Sequence, residues 1–480
     1  MAHELEASRE AVTTRDPKRL SGSLGVIGIV LIVVAAASPL GVVGGLVPLG
    51  IAAGNGVGFP AIFLVSTAIL LLFAAGFTAL TPYVPNAGAF YSYIGRGVGR
   101  HVGFGSAFVA LLSYLALEIG IYGMLGKGAE ALLVSWGGPQ IHWGVLALAG
   151  WAAVAVLGHR NIDLSKKVLG LLLVAEVAIV LVLDAAVVLR GGGDEGLSAG
   201  IITPSEIVSG APGIALLFAI LSFIGFEATA VFRDEARDPE RTIPRATYLS
   251  LVLIGAFYAL STWAMISAWG DDLAVQKAQE DSAGLLSETT ARYLGTAGEH
   301  IVQVLFFTSV FATVLSFHNI VSRYAFSLAG KGALPRRLGA VHPQHGSPYV
   351  ASAVASAVVG AFILATSLIG LDPVAELYTW FAGVSTVGII LLLAMTSVAV
   401  LVFFGKQARS GELTVGVARA LIAPALGLAA IVGVFALILQ NLPDLVGGST
   451  AVAAGVIALL LGAFAGGAAL AAARPQLQLD

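Results

Sequence analysis

The chain has 480 residues, of which 58% are hydrophobic and 11% charged, with a mean hydropathy of +0.92 and a formal net charge of -3. A soluble domain carries about 25% charged residues, so a soluble protein is excluded and an integral membrane protein is indicated. Cysteine is absent, which excludes disulfides, thiolate nucleophiles and cysteine-ligated metals.

The first residues, 1–23, are polar and mixed in charge and read as a cytoplasmic tail rather than a signal peptide. A bilayer-crossing helix needs about 20 mainly apolar residues. Such runs fall near 24–46, 59–82, 101–125, 143–158, 168–189, 210–232, 246–268, 299–328, 348–369, 376–404, 418–440 and 450–472, which predicts twelve spans. The fourth is short, and the second begins earlier if "PLGIAAGNGVG" is helical. With the N-terminus inside, all but four of the 25 Lys and Arg residues fall on the cytoplasmic side, the exceptions being Lys127, Arg190, Lys277 and Arg292. That asymmetry sets both termini, including a short tail at 473–480, in the cytoplasm of a plasma-membrane protein. Trp136, Trp143 and Trp269 then sit near outer helix ends, where interfacial anchors belong.

Two spans are interrupted. The first contains "AAASPLGVVGG", in which Pro39 removes a backbone donor and Gly41, Gly44 and Gly45 weaken the helix around it. The sixth contains "SFIGFE", Ser222 to Glu227. They lie five spans apart, an odd number, so blocks 24–190 and 210–404 would have opposite topologies. Paired breaks at matching places in two halves point to an inverted-repeat transporter with its site between them. Residues 418–472 add two further helices.

Three loop motifs accompany the breaks: "YVPNAGAFYSYIGRGVGRHVG" (Tyr83 to Gly103), "FRDEARDPERTIPRA" (Phe232 to Ala246) and "SRYAFSLAGKGALPRRLGAVHPQHGSP" (Ser322 to Pro348). In this order on such a chain they resemble the amino acid-polyamine-organocation (APC) superfamily of secondary transporters over roughly residues 24–404. The resemblance implies an all-α membrane protein with a ten-helix core of two inverted five-helix repeats and unwound first and sixth helices. It also implies that a substrate carboxylate meets free N–H groups of the first break and its amino group meets carbonyls of the sixth. Unwound turns leave polar backbone groups that lipid cannot satisfy, and half-helix ends add partial charge. Ala37, Ser38, Pro39, Leu40 and Gly41 at one break, and Ser222, Phe223, Ile224 and Gly225 at the other, are the expected substrate contacts. Many relatives carry Gly-x-Gly at the first break; here Ser38 and Pro39 interrupt the helix by a different route.

Ionisable residues inside spans are costly and therefore functional candidates. Glu227 matches the superfamily's glutamate after the sixth-helix break and fits two roles, a proton carrier or an acceptor that holds the loop. Glu118 aligns with pocket-facing polar residues of cationic amino acid and polyamine carriers, where it would pair with a substrate cation; a helix–helix hydrogen bond is the plainer alternative. Glu176 and Asp184 share the fifth span. Glu176 is a candidate relay or sodium-adjacent group near the first and eighth spans, Asp184 a hydrated structural residue. In the eighth span Phe317 occupies the place of a substrate-stacking aromatic. His318 fits a proton relay or an interhelical hydrogen bond, and Thr313 and Ser316 offer hydroxyls to sodium. Arg233, Arg237, Arg241 and Arg245, with Asp234, Glu235, Asp238 and Glu240, form either solvated salt bridges or an inner gate.

These features predict a secondary transporter of an amino acid or organic amine, coupled to protons or alternatively sodium, by symport or exchange. A sensor that binds without transporting shares every pocket feature. No phosphate-binding GxxxxGK[ST] motif supports ATP-driven pumping. The eight scattered histidines give no clustered metal or nucleophile constellation for a membrane enzyme. No cofactor and no nucleic-acid partner is expected, and nothing in the sequence fixes an oligomeric state.

Overall fold

The computed structural model describes residues 24–84, 90–160, 166–227, 229 and 236–477. The expected N-terminal tail 1–23, and Arg233, Asp234 and Glu235 of the charged cluster, lie outside the described residues. What is described is helical throughout, with only isolated bridges at Leu24–Ala236 and Gly193–Gly196.

The first predicted span is two pieces, α1 (Val26–Ala36) and α2 (39–55), the latter alternating α and π turns. It runs well past residue 46, so "PLGIAAGN" extends the first span instead of starting the second, and α3 (Phe59–Leu80) begins after a glycine turn. A short α4 (Phe90–Gly97) leads to α5 (Arg100–Ser135), α6 (Trp143–His159) and α7 (Lys166–Leu189). Helix α5 is longer than the expected 101–125 because its last turns keep helical pairing, with Lys127 bridging to Glu130 at 3.1 Å.

The sixth span is helical only as α8 (Pro212–Leu221) before it breaks. Then follow α9 (Pro239–Ser267), α10 (Asp271–Glu280) and α11 (Leu285–Gly330), the last kinked at Gly295, where φ is 71°. Helices α12 (Tyr349–Leu368), α13 (Pro373–Ser410), α14 (Ala418–Leu445) and α15 (Thr450–Ala473) complete the chain. Among the described residues nine helical stretches are long and apolar enough to cross a membrane. One of these, Val26–Tyr83, carries both of the first two predicted spans, and α6 and α8 are shorter apolar helices.

Helix α5 is the structural pivot, packed against α6, α11, α13 and α15. Its glycines allow this. A Cβ at Gly123 would strike the Pro373 carbonyl, and one at Gly126 the Trp143 carbonyl, so small residues let the backbones touch. Around α3 a second layer is built from aromatics: Phe77 stacks on Phe73 and Tyr93, Phe90 lies tilted against Phe77, and Phe226 meets Phe73 edge-on at 5.9 Å. Helices α9 and α14 close over it. The two breaks lie between these layers.

Candidate functional site: a cavity between two helix breaks

At the first break Ser38 takes φ 51° and ψ 69°, the single non-glycine residue with positive φ among the described residues. This left-handed step costs about 1–2 kcal/mol for an L-residue and turns the chain out of α1. Pro39 follows and has no N–H to give. Of the donors that a helix start leaves unpaired, the Leu40 N–H is taken by the Glu176 carboxylate of α7. Gly41 lines the cavity. The freed Ala37 carbonyl accepts from the Tyr258 hydroxyl at 3.0 Å.

Ser38 does not cap the helix it starts. Its Oγ lies 2.9 Å from Ser309 Oγ on α11, and Ser309 donates to Glu176 Oε2 at 2.8 Å. Because a hydroxyl has one proton, the bond from Ser309 to Glu176 makes Ser38 the donor to Ser309. A directed chain therefore runs from the cavity wall to a buried carboxylate.

At the second break α8 ends at Leu221, and residues 222–227 turn without regular helix. Gly225 has φ 113°, open to glycine and strained for any other residue. Its N–H donates to Glu227 Oε2 at 2.9 Å, and the Tyr114 hydroxyl of α5 donates to Oε1 at 2.8 Å. Both oxygens of Glu227 are thus held by the protein, one by the break and one by α5.

Between the breaks is a cavity of about 50 Å³. The first break supplies Ala37, Ser38, Gly41 and Val42, and the second Leu221 and Ile224. Helix α5 adds Leu117, Ile121 and Met124, helix α11 adds Val310, Thr313 and Phe317, and α13 adds Tyr378. A second cavity of about 210 Å³ lies beyond Met124, between Gly44, Lys127, Asp281, Gln303 and Phe306.

The structure sorts the sequence candidates. Ala37, Ser38, Gly41, Ile224, Phe317 and Thr313 line the first cavity. Pro39 faces a separate apolar groove with Val30 and Tyr258, and Leu40 is wholly buried. Ser222 turns back to donate to the Phe218 carbonyl, and Phe223 is buried in the core.

Three of the candidates lie away from the cavity, and for Glu118 and His318 the arrangement is the interhelical hydrogen bond, one of their two readings. Glu118 does not face the cavity: it is fully buried with Oε1 2.8 Å from His318 Nδ1, and His318 Nε2 lies 2.8 Å from Ser352 Oγ on α12. The cause is helical phase. Leu117, Ile121 and Met124 make the stripe toward the breaks, and Glu118 lies about 100° round from Leu117. For the same pairing His318 is an interhelical tie, turned from the cavity that its neighbour Phe317 lines. Ser316 is exposed and donates to the Ala312 carbonyl, so it cannot join Thr313 around one ion. Asp184 accepts from Ser261 at 2.8 Å and ties α7 to α9.

Ser309, Tyr114 and the apolar stripe of α5 escaped sequence reading. Ser309, Thr313 and Phe317 recur at four-residue spacing, a helical-face signal that would have pointed to Ser309 once Phe317 was singled out. Glu176 lies beside the first break, accepting from Ser309.

Comparisons with known proteins agree with this architecture. The amino acid permease family profile matches residues 28–477. An uncharacterized transporter of Mycobacterium tuberculosis is 28% identical over 381 residues, 75% of this chain and 78% of its own length. The branched-chain amino acid permease BcaP of Bacillus subtilis is 24% identical, covering 73% of this chain and 75% of the relative. The serine/threonine exchanger SteT of the same organism is 24% identical across 59% of this chain and 63% of the relative. Among solved structures, a mutant manganese transporter of Eremococcus coleocola superimposes with a TM-score of 0.61 at 14% identity, covering 94% of this chain and 95% of that one, which shows a shared fold. The matched family and these relatives are transporters rather than enzymes. The chain belongs to the amino acid permease family, as a multi-pass membrane transporter.

Proposed function

We propose that the protein is a secondary active transporter of amino acids that works by alternating access. Twelve spans would cross the plasma membrane with both termini in the cytoplasm. Blocks 24–190 and 210–404 would act as inverted repeats, 418–472 as two added helices, and the tails 1–23 and 473–480 would be cytoplasmic. The cavity between the breaks takes the backbone end of the substrate: it is lined by Gly41 at the start of α2, where a helix N-terminus suits a carboxylate, and the turn at 222–227 would offer carbonyls to an ammonium. Relatives named for serine/threonine exchange and branched-chain amino acid uptake support amino acids as cargo.

The observation that carries the coupling is the chain Ser38–Ser309–Glu176. With Glu176 ionised, both hydroxyl protons point toward it; with Glu176 protonated, the carboxyl donates and the chain can reverse. The cavity wall then presents a different polar face in the two protonation states, which links substrate occupancy to a proton. Glu227, with both oxygens held by Gly225 and Tyr114, serves the break rather than the proton.

Reconstitution into proteoliposomes tests this reading. An inwardly directed proton gradient should drive amino acid accumulation, and Glu176→Gln should abolish that accumulation while exchange of internal for external substrate continues. Accumulation driven by sodium and indifferent to Glu176→Gln would refute proton coupling. Ligand binding without any exchange would make the protein a sensor.

A further inference from the structure

Resting on the proposed transport reading, one question is which side chains the cavity admits. Among the described residues, no Asp, Glu, Lys, Arg or His lines it. Three lining residues carry hydroxyls, and two of these are committed: Ser38 to Ser309, and Thr313 to the Ser309 carbonyl at 2.8 Å. The nearby acids are spent elsewhere, Glu118 on His318, Glu227 on Gly225 and Tyr114, and Glu176 on Ser309 and Leu40. The wall opposite the breaks is Leu117, Ile121, Met124 and Val310. A charged substrate side chain would leave water and find no partner here, a cost of several kcal/mol; an aliphatic one would gain by burial.

Size is limited as well. At about 10–15 Å³ per water-sized position, a cavity of about 50 Å³ leaves room for only a short side chain beside the amino acid backbone. Beyond it lies the second cavity, about 210 Å³, and among the described residues Met124 alone lines both. Its thioether packs into the notch left by Gly45, where a Cβ would collide with it. Met124 is therefore the partition between the two spaces, on an unbranched and adaptable side chain.

We infer that the site selects amino acids with short, uncharged aliphatic side chains, and that Met124 sets the upper limit of side-chain length. Truncating Met124 joins the central cavity to the larger one, so longer chains gain room in which to extend.

The test is counterflow of radiolabelled alanine in proteoliposomes, with alanine, valine, leucine, lysine, glutamate and putrescine as competitors, alongside thermal shift of the purified protein by the same compounds. Alanine and valine should compete and stabilise, and lysine, glutamate and putrescine should do neither. Met124→Ala should raise competition by leucine relative to alanine about tenfold, the scale of a methylene group or more in an apolar pocket. Met124→Leu, close in volume, should keep the wild-type order and serves as the folding control. Counterflow of lysine, glutamate or putrescine would overturn the substrate class while leaving transport intact. An unchanged leucine-to-alanine ratio in a folded Met124→Ala would overturn the length limit. Stabilisation by alanine and valine without counterflow would uphold the class and refute transport, whereas neither stabilisation nor counterflow would refute both.

Discussion

The two breaks solve the same problem with different chemistry. Each interrupts an apolar helix, each needs one residue at positive φ, and each frees a backbone N–H that a buried carboxylate accepts. At the second break the left-handed residue is Gly225, which tolerates φ 113°, and the carboxylate is Glu227, two residues on. At the first the left-handed residue is Ser38, which carries a strain cost, and the carboxylate is Glu176, on another helix. The second break is thus a local motif closed on itself, tied outward by Tyr114. The first is held only by its neighbours α7, α9 and α11, through Glu176, Tyr258 and Ser309. A break that depends on surrounding helices can respond to their movement; a self-contained one holds its shape. On the coupling proposed above, the proton-sensitive element would be the first break and the fixed floor of the site the second.

The comparison can be broken most forcefully at Gly225. Gly225→Val puts a β-branched residue at φ 113° and should cost about 1–3 kcal/mol of strain, with loss of transport and a lowered melting temperature in detergent. A variant with wild-type melting and uptake would show that the turn is not fixed. The second effect separates the two acids. Glu176→Gln should remove proton-driven accumulation, whereas Glu227→Gln should lower stability by about 1–3 kcal/mol and leave the pH dependence of the remaining uptake unchanged. Equal effects on coupling would erase the distinction between the breaks.

Ser38 offers a finer probe. Ser38→Gly relieves the left-handed strain but cuts the hydroxyl chain, so its stability should stay within about 1 kcal/mol of wild type while accumulation per proton gradient falls. Ser38→Ala loses the hydroxyl and keeps the strain, so it should be the less stable of the two, as paired melting curves will tell. The smallest effect is expected for Tyr114→Phe, which removes one hydrogen bond to Glu227 at about 1 kcal/mol and should leave substrate selectivity untouched in competition assays.

Much of the second break was legible because its parts are contiguous: a glycine followed within two residues by an acid, inside lipid-like sequence, offered an acceptor that holds the loop as one of two roles for Glu227. At the first break Ser38 and Pro39 announced the interruption, but not that Ser38 would bond to Ser309, 271 positions away. Glu118 shows the limit most clearly. Its depth in the span was readable, yet one step of helical phase turned it from the cavity to His318.

Hydropathy, the breaks and the arginine and lysine asymmetry are one-dimensional properties, so the sequence by itself determined a helical membrane protein interrupted at two matching places. Which faces of α5, α7 and α11 meet the breaks depends on helix rotation and packing. Small residues such as Gly123 and Gly126 set that packing through backbone contacts, and only the tertiary structure resolves them. That Glu176 is the acid at the first break, and that apolar side chains of α5 line the cavity, were decided there.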